Sequence, residues 1–312
     1  MPNETLKTKR FPEMSKERPS FMLMARKENP NPRLGDRNND WNSQEDIMPI
    51  TEGLEWTFDT VSARYEKFRP GYPDDLYKTL FNYISIDGSS AVVEIGIGGG
   101  QATLPFLEKG CTLTAVEYGE NFSELCSKKF EKFKNFSAIT GKFENVSFAD
   151  SQYDMVYSAS AFHWIPEDIG YPKVYAMLKS GGAFARFANH PYHDKGNPVL
   201  SAEIQKLYSM YYYKYYGKDA KPEKEYCEEQ VVQRAQIAGG YGFTDIKFAV
   251  FYRTRTFSAK EYVELLGTYS DHIAMEETIR MKFFSEIEEA INKYGGWYTV
   301  YDTIDLQLAR KP

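Results

Sequence analysis

Apolar residues in this chain gather into short runs that alternate with glycine turns and amphipathic stretches. The run Ala91-Val92-Val93-Glu94-Ile95 suits a parallel strand buried on both faces. It breaks into Gly96, Gly98, Gly99 and Gly100. Ala102 to Leu107 then predicts a helix in which Pro105 falls in the first turn and Gly110 is the stop. Cys111 to Glu117 predicts a second strand ending in a carboxylate, and Glu120 to Phe133 a helix with Phe122, Leu125, Cys126, Phe130 and Phe133 on one face. A third strand is expected over Phe136 to Phe143. A fourth starts at Tyr153 and runs out into Ser158-Ala159-Ser160-Ala161 and the aromatic cluster Phe162-His163-Trp164. A helix begun by Pro172 and ended at Leu178-Lys179-Ser180-Gly181-Gly182 leads to a fifth strand, Ala183 to Ala188.

The flanks are patterned differently. Trp56, Phe58, Val61, Tyr65 and Phe68 recur at helical steps until Arg69-Pro70-Gly71-Tyr72-Pro73 stops them, and a helix follows from Asp74 to Ile84. After Asn189 comes a tyrosine-rich helix, Asn197 to Tyr216, with Leu200, Ile204, Leu207, Tyr208, Tyr211 and Tyr215 as its stripe. An exposed charged loop (217–229), a helix near Gln230 to Ala238, a strand from Thr244 to Thr256, helical segments from Ala259 to Tyr294 and a last alternating strand, Tyr298 to Leu308, complete the pattern. Residues 1–50, rich in Pro, Asn, Arg, Lys and Glu, are expected to be a disordered leader, and Met48 is a candidate for the true start. Residues 51–312 are then one α/β domain, with helical cap elements around 51–85, 190–240 and 258–295.

Composition narrows the partners. A net charge of -6 over 312 residues argues against a nucleic-acid footprint, which needs a clustered excess of Lys and Arg. No stretch approaches the roughly 18 consecutive apolar residues of a membrane span. Cys111, Cys126 and Cys227 are too scattered for a disulfide framework or a zinc site, which points to the cytoplasm. Of the 24 tyrosines, part is expected to line a pocket.

The chemistry centres on the glycine turn. A dinucleotide fingerprint wants a third glycine where Gln101 stands. What is present is Glu94-x-Gly96-x-Gly98-x-Gly100, which resembles the motif of class I S-adenosylmethionine-dependent methyltransferases. Glu117 lies about 20 residues past the first glycine, where an acid at a strand end can accept hydrogen bonds from both ribose hydroxyls. The segment from Phe58 to Pro73 and the fourth-strand motif from Tyr153 to Trp164 are similar to the small-molecule group related to trans-aconitate methyltransferase (type 11). The resemblance implies a Rossmann-like seven-stranded sheet with the last strand antiparallel, helices on both faces and a helical insertion before that strand. It also implies S-adenosyl-L-methionine as cofactor, touched by Glu94, Gly96, Ile97, Gly98, Gln101, Glu117, Tyr118, Ala159 and Phe162. Phe143 and Glu144 are then expected to border the adenine. Tyr65 and Arg69 either touch its carboxylate end or serve as packing and a surface ion pair.

Methyl transfer requires few catalytic side chains, because the sulfonium already activates the methyl group. A carboxylate acceptor needs no base, whereas a hydroxyl or amine needs its proton taken, most simply by histidine. His163, His190 and His193 follow strands four and five, where ligands of open α/β sheets bind. His163 is therefore the catalytic candidate, with a pocket-wall role as its alternative. Tyr269, Ser270 and His272 either face the acceptor or pack. Ala159, Ser160 and Ala161 stand where a metal-dependent methyltransferase has a carboxylate, so no metal is expected, although His190-x-x-His193-Asp194 remains a possible ligand set. The expected partner is a small-molecule methyl acceptor, with the protein a monomer or homodimer. A cofactor-binding regulatory protein and a nicotinamide-dependent oxidoreductase are the rival readings.

Overall fold

A computed structural model of the protein describes residues 68–220 and 224–312, together with the backbone of Lys7–Thr8. Tyr65, nearly all of the leader and the helix expected around Trp56 lie outside the described residues.

Seven strands form one sheet: β1 (Ala91–Ile95), β2 (Thr112–Glu117), β3 (Phe136–Thr140), β4 (Tyr153–Ala159), β5 (Leu178–Tyr192), β6 (Thr244–Ser258) and β7 (Trp297–Arg310). Their spatial order is β6-β7-β5-β4-β1-β2-β3, with Lys7–Thr8 paired antiparallel onto the outer edge of β6. The pairings from β5 through β3 are parallel, and β7 inserts antiparallel between β5 and β6. This is the sheet that the sequence predicts, with the last strand reversed.

Central β1 and β4 are apolar without alternation because helices cover both faces. On one face Val92, Leu113, Met155, Tyr157 and Phe187 pack against α1 (Asp74–Tyr83) and α2 (Leu104–Leu107). On the other Val93, Ile95, Val156 and Phe184 meet Tyr171, Val174 and Met177 of α4 (Glu167–Met177). Between these, α3 (Glu120–Lys129) links β2 to β3. A third cluster forms the cap, where α5 (Pro198–Leu207), α7 (Ala259–Leu266) and α9 (Glu277–Lys293) bury Leu200, Ile204, Leu265, Phe283 and Ile287 against Tyr298 and Val300 of β7. Two further α-helices among the described residues are α6 (Glu228–Gln236) and the single turn α8 (Ser270–Ile273).

Several boundaries depart from the sequence pattern. Pro172 does not begin α4; the helix starts at Glu167 and carries Pro172 inside it. Pro172 and Asp168, the residue whose carbonyl the ring leaves without an amide, both lie on the exposed side of the helix. The third strand stops at Thr140, and Phe143–Asn145 is a tight 3-10 turn. The fifth strand runs on through His190, which therefore sits on β5. The helix expected over Asn197 to Tyr216 is α-helical over Pro198–Leu207 and widens to a π-helix over Tyr208–Tyr213. Such widening rotates the following side chains relative to the α-helical stripe.

The long β6–β7 pair is pinned by a buried ion cluster. Asp302 is fully buried; its carboxylate accepts from Arg255 Nε at 2.5 Å, Arg253 Nε at 3.2 Å and Asn189 Nδ2 at 3.0 Å. Removing the carboxylate leaves two part-buried guanidinium groups uncompensated. Asp302→Ala is expected to lower the unfolding free energy by about 3–5 kcal/mol in urea denaturation. A loss below about 1 kcal/mol would show that the cluster contributes little.

Candidate functional site

A cavity of about 870 Å³ opens where β1, β2, β4 and β5 end beneath the cap. That is within the roughly 300–1,000 Å³ of small-molecule sites. All four histidines of the chain line it, as do ten tyrosines, which accounts for part of the tyrosine excess.

One end is built by the glycine turn. Gly96, Gly98 and Gly100 adopt φ of 72°, 51° and 74°, a region that L side chains rarely enter. At Gly96 an added Cβ would stand 2.3 Å from that of Ala161, and at Gly100 it would meet the Phe130 ring at 2.7 Å. These two glycines thus answer to close packing. Two side chains of the α3 helix hold the turn's carbonyls: Cys126 Sγ donates to Gly98 O at 3.1 Å and Lys129 Nζ to Gly99 O at 2.8 Å.

Glu117 completes this end. From the tip of β2 its carboxylate accepts the Gly98 amide at 2.8 Å and the Gly119 amide at 3.0 Å, which fixes its plane at the cavity wall. Beside it are Ile97, Gln101, Tyr118, Phe143 and Glu144. Lys173 donates to the carbonyls of Phe143 at 2.5 Å and Glu144 at 3.0 Å, so the turn after β3 is tied to α4. The donor set suits a nucleoside: an acid that can accept two hydroxyl hydrogens, apolar and aromatic walls for a flat base, and backbone exposed at glycine.

Arg69, Gly96, Ala159 and His163 also reach the cavity. Arg69 is held by Thr268, donating to its Oγ1 and its carbonyl at 3.0 Å each, and lies 4.1 Å from the centre of the Tyr269 ring. Two expected contacts stand behind the wall instead. Phe162 packs in the core against Phe184 and Tyr171. Glu94 is fully buried beneath the turn, accepting from Thr103 Oγ1 at 2.8 Å and Tyr157 OH at 2.7 Å, while its Oε1 has no partner among the described residues. Burial pushes the Glu94 carboxyl up to about 7.

His163 lies in the wall next to Trp164, but burial, reinforced by Arg234 and Arg186, pushes its imidazole down to about 3. It is neutral near pH 7 and a weak proton acceptor there. His190 is engaged with buried Asp305, its Nε2 at 3.0 Å from Oδ1, and stacks on Tyr226. Among the described residues no group of three or more His, Cys, Asp or Glu is arranged to hold a metal ion.

Other wall residues escaped the sequence reading. Ser160 adopts φ 56° at the end of β4, with its hydroxyl 2.8 Å from that of Tyr72. Arg234, Arg255 and Asp271 come from elements distant in sequence. Only the run of small residues after Tyr157 gave a signal for Ser160.

The comparisons agree with this geometry. Residues 93–185 match a family described as a methyltransferase domain. A Schizosaccharomyces pombe protein named an uncharacterized methyltransferase is 24% identical over 240 residues, covering 75% of this chain and 87% of its own. A Saccharomyces cerevisiae protein named a "probable S-adenosylmethionine-dependent methyltransferase" is 29% identical over 143 residues, 44% of this chain and 48% of its own. A solved structure from Anaeromyxobacter dehalogenans, described as a "Putative Type II Methyltransferase", superposes with a TM-score of 0.52 at 19% identity, covering 78% of this chain and 98% of that one. That likeness speaks for the fold.

The raised Glu94 carboxyl has a consequence for stability. The folded state keeps its proton to about pH 7, whereas the unfolded chain releases it near 4.5, so stability is lost as pH rises between these values. Relative to Glu94→Gln, which cannot titrate, the native protein should lose on the order of 3 kcal/mol between pH 4.5 and 7.5. Urea titrations at both pH values check this, and a constant difference between the two proteins contradicts it.

Proposed function

With the chain a class I S-adenosylmethionine-dependent methyltransferase, we propose that it passes the methyl group to a small-molecule acceptor held under the tyrosine-rich cap, on oxygen or nitrogen. The observation that carries this reading is the Glu117 carboxylate, fixed by two backbone amides at the cavity wall. When bound, the cofactor supplies a methyl group already activated by a sulfonium.

The chain's own residues then bind, orient and exclude water. Glu117 accepts from the ribose hydroxyls, and Ile97, Tyr118, Phe143 and Glu144 border the adenine. Gly96, Gly98, Gln101 and Ala159 pass along the centre of the ligand. Arg69 faces its carboxylate, joined in this reading by Tyr65. Glu94 and Phe162 act from behind, holding the turn and the end of β4 in place. The acceptor chamber is walled by Trp164, His163, Tyr208, Tyr212 and Tyr269, which desolvate the reacting atoms. His163 is a neutral wall residue in this reading.

The net charge of -6 favours a small acceptor over a nucleic acid. No helix among the described residues is long and apolar enough to cross a membrane. Cys111, Cys126 and Cys227, too scattered along the chain for a disulfide framework, fit a cytoplasmic enzyme.

Calorimetry tests the binding half. The native protein should bind S-adenosylmethionine, and Glu117→Ala should weaken that binding by about 10- to 100-fold, the usual worth of hydrogen bonds to a charged group. Release of S-adenosylhomocysteine on adding a polar metabolite extract tests turnover. No heat of binding, or equal affinity in the variant, counts against the assignment. Binding without release would make the protein a non-catalytic binder.

A further inference from the structure

Asp271 and His272 of α8 lie in the cavity wall, 4% and 2% exposed. Asp271 Oδ1 is 2.8 Å from His272 Nδ1 and also accepts the His272 backbone amide at 2.8 Å, while Oδ2 accepts from the Tyr212 hydroxyl at 2.6 Å. On the other side of the ring, His272 Nε2 is 3.0 Å from the Tyr208 hydroxyl. Phe283 and Phe284 of α9 flank the imidazole, each with its ring centre 6.0 Å away.

These contacts define an order. Burial pushes the Asp271 carboxyl up, but the charge and hydrogen bonds of His272 and the Tyr212 hydroxyl outweigh it and hold the carboxyl below its usual range. An ionised carboxylate only accepts, so Nδ1 carries the hydrogen. In the neutral ring Nε2 is then bare and accepts from Tyr208. Tyr208 opens the π-helical segment, next to α5, and its side chain lines the cavity. Three cationic groups near the cluster are engaged elsewhere: Arg69 with Thr268 over Tyr269, Arg255 with Asp302, and Arg280 with the carbonyls of Ile273 and Met275.

We propose that Tyr208, His272 and Asp271 form a proton relay that deprotonates a hydroxyl-bearing acceptor, so that the reaction is O-methylation of an alcohol or phenol. This rests on the methyltransferase reading above and names the acceptor class of the same site. The acceptor O–H gives its proton to the Tyr208 oxygen as Tyr208 gives its own to Nε2. The acceptor oxygen bonds to the methyl carbon, the carbon–sulfur bond breaks, and its electron pair stays on sulfur. The imidazolium is held by Asp271 and returns the proton through Tyr208 to water once product leaves. Tyr208 is the catalytic residue, His272 the proton reservoir and Asp271 the positioning residue. A carboxylate acceptor needs no such relay.

Two measurements on the full-length protein test this. Long-range proton–nitrogen NMR of the histidine-labelled protein, assigned with His272→Asn, should show a protonated Nδ1 and a bare Nε2 near pH 7.5. An Nε2–H tautomer, or a ring still doubly protonated at pH 9, overturns the relay whether or not an acceptor is known. In the second, methyl-tritiated S-adenosylmethionine and a polar metabolite extract are supplied. The label should enter a base-stable methyl ether, and Tyr208→Phe and His272→Asn should each lower kcat by about 10²- to 10³-fold. Calorimetric affinity for S-adenosylmethionine should stay within about twofold in both variants. A base-labile methyl ester, or variants at the native rate, overturns the proposal. Failure of the native protein to bind S-adenosylmethionine would instead sink the underlying reading.

Discussion

The hydrogen bond from the Gly98 amide to Glu117 joins the two features that make this site. Alone, the glycine turn is a packing device: Gly96 and Gly100 are explained by Ala161 and Phe130. Alone, Glu117 is a carboxylate at a strand end. Parallel pairing of β1 with β2 brings them together, because in-register neighbours finish at the same edge of the sheet. The acid then fixes the turn from one side while Cys126 and Lys129 fix it from the other. A ligand pressed against Gly98 meets a backbone that no longer needs ordering, which reduces the entropic cost of binding.

The second half of the cavity depends on the antiparallel closure. By running between β5 and β6, β7 brings Asp302 against Arg253, Arg255 and Asn189, and Asp305 against His190. Charged side chains are thus held over the strand ends without being left unpaired in the interior, where each would cost several kcal/mol. The cap is seated on the same strand through Tyr298 and Val300, so the wall bearing Tyr208 and His272 is referenced to the sheet.

The parallel half of the sheet was legible because its signals are local. A buried parallel strand is an unbroken apolar run, and its ending in glycines or an acid marks the ligand edge, so Ile97, Gly98, Glu117, Phe143 and Glu144 all fall on the cavity. Glu94 and Phe162 were legible as motif residues but not as buried ones, since a motif does not say whether a side chain faces the ligand or the core. Pro172 misled because its tolerance within a helix depends on the exposure of the preceding turn. The pairs Tyr208–His272 and Arg69–Thr268, by contrast, join residues 64 and 199 positions apart. No periodicity within one element carries such information. His163 was favoured for its position after a strand, a placement that says nothing of the burial that depresses its basicity.

Division of labour follows from these environments. At the glycine end, fixed acceptors and bare backbone suit recognition of a constant ligand; under the cap, tyrosines and a buried Asp–His pair suit chemistry on a variable one. A crystal structure of the protein with S-adenosylhomocysteine tests the central claim most directly. The account predicts both ribose hydroxyls within hydrogen-bond distance of the Glu117 carboxylate, with the nucleoside lying along Gly96 to Gly98. A ribose bound away from Glu117, with that carboxylate still closed on the Gly98 amide, would contradict it.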